Sequence, residues 1–581
     1  MNMSKSKLFA LMLVGVSSLS LTACGNKSAD LKKADYNFST ATPKKPIKKG
    51  GTLTYALEND APFTGIFLAE LADKENDIEA AAPGQEGLFA SDDHFKITDK
   101  GAATLKLNRH DNTALITLKK NVRWSDGKPV TAKDLEFAYE ILANPKVQTT
   151  QYTSSLENII GMADYHEGKA KKITGLDMPD GPNGKKLLIH FKELKPSMLN
   201  VQNGFFWDHA APYHYLKDVP FDKLMSDKKV RNKPLFFGPY KLDNTVHGES
   251  TAWSRNPYYW RGEPNFAHVR MSNISTENVA QAIKSHKFDV ASVPNTSYPQ
   301  LKDTKGVNFI GKKTSFYSYI AFKVGKWDEK LGKNVQNPHA KMGNPALRKA
   351  MLYAMNTDQI NDRYYHHLKY RVRSVIPTQF GKYSDKQLPY YSYNLKKANE
   401  LLDKAGYKKK GTYRVQPNGK KLVINLAVQA SGKNQDAIWT NYIQQFKKVG
   451  LNVKFLGGRP MEFNHWVDAV KSSDPKIDVL EGAWEPSDPS PAVFFGEKMP
   501  YNFARFVSPK NNKLLEQIDS QKSFNTDYRV KKLHEWQRWM YDNAYLVPLS
   551  GTYSITALNS KITGYSDKPS SDFWYEAGFS K

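Results

Sequence analysis

The sequence predicts an α/β fold built from several domains. Leu422, Ile424, Leu426 and Val428 alternate as a strand. Ile438, Tyr442, Phe446 and Val449 then recur at helical spacing, Gly450 closes that helix, and residues 451–456 read as a strand again. A strand–helix–strand run of this kind predicts a parallel βαβ unit, because parallel neighbours need a crossover connection. Capped helices and strands alternate along the rest of the chain. The composition, 40% hydrophobic and 24% charged over 581 residues, is that of a globular chain. Length alone predicts about two to four domains.

The amino terminus is punctuated differently. Lys5 and Lys7 precede an apolar stretch from Leu8 to Leu21, and Leu21-Thr22-Ala23-Cys24 follows. The stretch is long enough for a signal segment and short for a spanning helix. Small Ala23 suits a peptidase pocket, and Cys24 is the only cysteine in the chain. One reading is a signal peptide with an incidental cysteine, but a lone Cys at that position by chance is improbable. The pattern resembles the lipobox of bacterial lipoproteins. That implies a signal peptide over residues 1–23, a thioether-linked lipid on Cys24, and a mature chain held at the extracytoplasmic face of the cell membrane. No run of 18 apolar residues follows Cys24. With no second cysteine the chain has no internal disulfide, so its stability rests on core size.

Residues 25–49 carry seven lysines, Pro43 and Pro46, and few apolar side chains. Such a segment predicts a flexible tether, so 24–49 is read as lipidated terminus and tether. The fold is expected to begin at Gly50-Gly51, where residues 52–57 alternate as a strand. Trp124-Ser125-Asp126-Gly127-Lys128 reads as a turn, with Gly127 free to take positive φ. Thr131 caps the next helix and Asp134 supports its first turn. Leu135, Ala138, Tyr139 and Leu142 form its buried stripe. Asn344-Pro345 opens another helix, and Asn394 caps a third that ends at Gly406.

Several chemistries are absent. His534-Glu535 is followed by Arg538 where a second zinc ligand would stand. His366 and His367 are adjacent and would point about 100° apart on a helix. His209 and His214 lack a third ligand nearby in sequence. Residues 306–312 approach a phosphate-binding loop, but Lys313 replaces the magnesium-binding hydroxyl and the interior reads as a strand. No nucleophile elbow occurs. Neither a catalytic centre, a metal site nor a cofactor site is predicted. The net charge of +26 comes from lysines spread along the whole chain. Lysine outnumbers arginine, which suits solvation and an anionic envelope better than base reading, so nucleic acid is not expected as a partner.

Five stretches, in order, are similar to the peptide-binding lipoproteins of ABC importers, the oligopeptide and nickel-binding type of solute-binding protein family 5. They are Trp124 through Phe137; Phe237-Gly-Pro-Tyr-Lys-Leu with Arg255 through Pro264; Asn344 through Asn356; Tyr393 through Tyr407; and Ile477 through Trp484, followed by Asp488-Pro489. The resemblance implies a two-lobed, periplasmic-binding-protein-like fold with an extra subdomain in the first lobe. Lobe I would comprise 50–90, 215–320 and 546–581, the subdomain 91–214, and lobe II 321–545. The chain would cross between lobes near Tyr319-Ile320-Ala321-Phe322 and return near Tyr545 through Leu549. The implied function is capture of an oligopeptide between the lobes and delivery to an ABC permease with its ATPase subunits. The receptor would act as a monomer tethered by its lipid. Two rivals stay open: a receptor for a nickel chelate, sugar or signalling peptide on the same scaffold, and an extracellular peptidase or chaperone.

Sequence-tolerant peptide capture uses strand addition. Glu481-Gly482-Ala483-Trp484 reads as the receiving strand, with Gly482 expected to let a second backbone approach and Trp484 to line the pocket. In the family an acidic residue beyond this strand receives the peptide α-ammonium. The matching spacing points to Glu485, a departure from the family's usual Asp. Asp488 is the other candidate, and its alternative role is to start a turn before Pro489. Most of the aromatic residues in the dense groups at 205–207, at 258–260 and at Phe463 with Trp466 are expected in the core, and Tyr258–Trp260 are read as packing.

Overall fold

The computed structural model describes residues 36, 38–59, 62–430 and 434–581. The signal segment and Cys24 lie outside the described residues. A long mixed sheet organises the chain. Its order runs Asn452–Phe455, Val423–Ala427, Val479–Trp484, Val307–Phe322, Leu546–Asn559, Val290–Ser292, Thr52–Glu58, His268–Ile274, Ser250–Arg255, Tyr240–Val246. The predicted βαβ unit forms, with Val423 opposite Asn452 and Leu426 opposite Phe455 in parallel, joined by the Gln435–Lys448 helix.

Two strands run through both halves of this sheet. Val307–Phe322 and Leu546–Asn559 pair antiparallel, but their register breaks between Lys313, opposite Tyr553, and Tyr317, opposite Gly551. On one side of the break the return strand pairs with Val290–Ser292; on the other the outgoing strand pairs with Val479–Trp484. This register break lies several residues from the positions expected for the crossings. Tyr319–Phe322 are already paired with Val479–Gly482 inside the second half. The apolar residues that suggested a crossing belong instead to the largest core, with Tyr319, Ile320, Ala321 and Phe322 all fully buried.

The 91–214 region holds a separate antiparallel sheet, ordered Ala103–Asn108, Thr113–Leu118, Lys186–His190, Leu176–Asp177. It has its own apolar core around Trp124, Leu135, Leu142 and Ile189. Asp134 does more than cap the Ala132–Ala143 helix. It accepts from Thr131 N at 2.7 Å, Tyr213 N at 2.8 Å and Trp124 Nε1 at 3.3 Å, tying the turn, the helix and the 213 loop together. The Asn344 and Asn394 caps form as expected, accepting from Ala346 N and Lys397 N at 2.9 and 2.8 Å.

The tether expectation needs correction over residues 38–49. Ser39 bridges to Ile310, Thr42 N donates to Tyr565 O at 3.0 Å, and Ile47 and Lys48 pair with Ser580 and Phe579. Phe38 packs on Tyr298 and Tyr553, with ring centroids 5.1 and 5.4 Å away. Lys44, Lys45, Lys48 and Lys49 point to solvent, so the polar composition concealed a backbone that pairs with the C-terminal segment. Of the dense aromatic groups, Phe206, Tyr259 and Trp466 are buried, whereas Phe463 is exposed and so is Tyr258, which corrects its reading as a packing residue.

Candidate functional site

Val479–Trp484 is flanked unequally. One edge pairs with Val307–Phe322 along its whole length. The other pairs with Val423–Ala427 only at Val479 and Leu480. Beyond Ala427 that neighbour turns away, and Gln429 bridges to Met461. Among the described residues Glu481 through Trp484 have no strand partner on this edge. Free backbone groups on an open edge are a template for an added strand.

The side chains of this stretch fall into three settings. Gly482 faces Tyr319 across the ladder, and a Cβ there would lie 2.6 Å from Tyr319 Cζ. Gly482 thus makes room for a buried phenol of the protein itself. Trp484 packs face to face with Phe494, centroids 4.3 Å apart, and against Tyr319 at 4.5 Å. It remains partly exposed beside Ala483. Glu481 points inward. Burial pushes its carboxyl up to about 7, against the opposing pull of the Gln429 backbone and Lys369. Burial also pushes Lys369 down to about 8, with Glu481 resisting, and its ammonium sits 3.9 Å over the Tyr365 ring.

The Glu481 proton sets a pH dependence. The unfolded carboxyl loses its proton near 4.5, whereas the folded one keeps it to about 7. The folded state therefore binds more protons between these values, and its stability falls as pH rises through the window. Glu481→Gln removes that loss and part of the Lys369 counter-charge with it. Relative to wild type the variant should gain about 1–2 kcal/mol between pH 4.5 and pH 7.5. Denaturant melts at the two pH values check this, and a relative loss would contradict it.

Glu485 leaves the strand exposed, and Ser315 Oγ donates to its Oε1 at 3.4 Å. Ser315 lies in the register break of the outgoing strand. It also lines a cavity of about 300 Å³ with Lys313, Tyr317, Tyr370, Arg373 and Gln379. Asp488 is in a different setting. Its Oδ1 accepts from Ser490 N at 2.6 Å, the turn expected before Pro489, and from Ser197 Oγ at 3.0 Å. Asn200 Nδ2 reaches its Oδ2 at 3.5 Å. Glu485 is therefore exposed, while Asp488 is engaged by the 91–214 region. Among the described residues no group of three or more His, Cys, Asp or Glu is placed to hold a metal, and no helix is long and apolar enough to cross a membrane.

The sequence profile of the bacterial extracellular solute-binding proteins, family 5 middle region, matches residues 101–499. The chain belongs to this solute-binding family. It is 37% identical over 595 residues to the oligopeptide-binding protein OppA of Lactococcus lactis subsp. cremoris (strain SK11), covering 100% of this chain and 99% of that protein. Identity to the oligopeptide-binding protein AppA of Bacillus subtilis (strain 168) is 22% over 591 residues, covering 99% and 98%. Lactococcal OppA complexed with an endogenous peptide in the closed conformation superposes with a TM-score of 0.77 at 37% identity, over 91% of this chain and 100% of that one. Bacillus subtilis AppA in complex with a nonapeptide shares the fold, with a TM-score of 0.66 at 18% identity over 92% and 100%. The family member described here is thus an α/β protein of the two-lobed binding-protein type.

Spacing brought Gly482, Ala483, Trp484 and Glu485 together, because they are consecutive. It missed Ser315, Lys369, Ser197 and Asn200. These reach the same strand and loop from positions more than 100 residues away, and no local pattern marks them.

Proposed function

We propose that this protein is an extracytoplasmic receptor that binds oligopeptides between two lobes and delivers them to an ABC permease. The observation that carries the reading is the open Glu481–Trp484 edge, ending in the exposed carboxylate of Glu485. A peptide laid along it gains backbone hydrogen bonds whatever its sequence, and its α-ammonium meets Glu485. Ala483 and Trp484 lie beneath its first residues. The amine is assigned to Glu485 over Asp488, whose oxygens already accept protein donors. Transport energy comes from the partner ATPase, since this chain carries no nucleotide motif. The chain itself performs no catalysis and acts as a monomer.

The register break supports crossings at 313–317 and 551–553. Lobe I then ends near residue 313 and resumes near 553. The 91–214 subdomain belongs to lobe I, and lobe II is the chain between the crossings. Mass spectrometry of molecules copurified with the protein tests the ligand class. Peptides are expected; a nickel chelate or a sugar in their place would overturn the assignment.

The membrane attachment rests on Leu21-Thr22-Ala23-Cys24. Cys24→Ala should abolish lipid labelling and leave residues 1–23 attached. Fatty-acid labelling of whole cells reads the first and the intact mass of the protein the second, and a normally labelled variant would refute the anchor.

A further inference from the structure

We infer that Arg529, Asp519 and Asp488 of lobe II form a latch that grips Ser197 and Asn200 of the 91–214 subdomain and holds the closed, peptide-loaded state. This rests on the receptor reading above and adds residues that act on closure without touching peptide.

The seam is small, polar and buried. Arg529 Nη2 donates to Ser197 Oγ at 2.9 Å, and Ser197 Oγ donates onward to Asp488 Oδ1 at 3.0 Å. Asn200 Nδ2 stands 3.5 Å from Asp488 Oδ2. Behind Arg529, Asp519 lies 3.6 Å from its guanidinium and Asp488 lies 3.9 Å away. Ser490 Oγ donates to Asp519 Oδ2 at 2.7 Å, so one loop fixes both carboxylates. Nearby, Gln521 Nε2 donates to Leu194 O at 2.9 Å. Ser197, Asn200 and Arg529 are only 3, 5 and 2% exposed.

The contrast with the rest of the subdomain carries the argument. Toward the 211–237 stretch the subdomain buries apolar cores that include Phe137, Ile141, Leu216 and Phe237. Toward lobe II its side chains meet through the hydrogen bonds above, a contact of His94 Nδ1 with Gln379 O at 3.4 Å, and single aromatic insertions: Phe95 at the edge of the lobe II core, 5.8 Å from Phe380, and Phe524 at the edge of the subdomain core, under Arg109 at 5.2 Å. A cavity of about 360 Å³ also runs along this seam, lined by Leu199, Asn200, Phe380, Tyr383, Phe524 and Arg529. A polar, incompletely packed contact separates at low cost, because water replaces its hydrogen bonds, whereas an apolar core does not. The subdomain therefore moves with the apolar side and docks on lobe II through the latch. Arg529 stays paired with Asp519 when Ser197 leaves, so opening strands no bare buried cation.

The test uses the double variant Ser197→Ala/Asn200→Ala, which leaves lobe II intact. Peptide dissociation is followed by stopped flow, with thermal melts of the free and loaded protein. Dissociation should speed about tenfold or more. The peptide-free melting temperature should hold, because the latch is open there, while the rise on adding peptide should shrink. The loss should be equal for free-amine and N-acetylated peptides, since it acts on closure and not on the amine. Arg529→Lys, which keeps the charge, should give a smaller acceleration. Unchanged dissociation would overturn the latch, as would a peptide-free melting temperature that drops as far as the loaded one. Wild-type protein that binds no test peptide would instead overturn the receptor reading, and the latch with it.

Discussion

Glu485→Ala should weaken the binding of free-amine peptides about tenfold or more. A charge-assisted hydrogen bond between a carboxylate and an α-ammonium is among the stronger single contacts a cleft can make. Glu485 is exposed before ligand arrives, and among the described residues its hydrogen bond is the long one from Ser315, so little holds it away from a cation. Acetylating the peptide amine should produce a similar loss in wild type. The two losses should not add, because each deletes the same interaction. Calorimetric titration of both proteins with both peptides closes the cycle. Additive losses would mean that the amine is bound elsewhere.

Gly482→Ala should destabilise the fold by about 1–3 kcal/mol and disturb the receiving edge together with it. The added methyl would meet the Tyr319 phenol, which cannot retreat: the ring is fully buried and leans on Trp484 at 4.5 Å. Displacing Tyr319 therefore moves Trp484, which lies beneath the proposed peptide path. Tyr319→Leu opens a void where the methyl would stand. The pair Gly482→Ala/Tyr319→Leu should be more stable than the sum of its single losses predicts. Denaturant melts of the four proteins measure the coupling, and strict additivity would show that the two residues do not compete for the space.

What the sequence revealed here was local. The Asn344 and Asn394 caps, the turn at Gly127 and the 422–456 βαβ unit each depend on residues within a few positions of one another. Their chemistry is therefore legible in order along the chain. The strand at Glu481 through Trp484 was legible for the same reason. The expected crossings fall on the Val479–Trp484 side of the register break because Tyr319–Phe322 and Leu546–Leu549 carry the apolar signature of a buried strand. That signature does not say which half of a sheet buries it. Residues 38–49 looked unstructured because composition counts side chains, and here backbone pairing to Tyr565, Phe579 and Ser580 orders the segment. Asp488 illustrates the remaining gap. Its turn to Ser490 follows from the Asp-Pro pair, but Ser197 and Asn200 reach it from almost 300 residues away.

A peptide held between two lobes must bring them together, since both walls of the cleft contact it. Small-angle scattering during a peptide titration, with saturation established by calorimetry on the same sample, measures that directly. The radius of gyration should fall as sites fill and level off at one peptide per chain. A radius that stays constant to saturation would contradict capture between moving lobes.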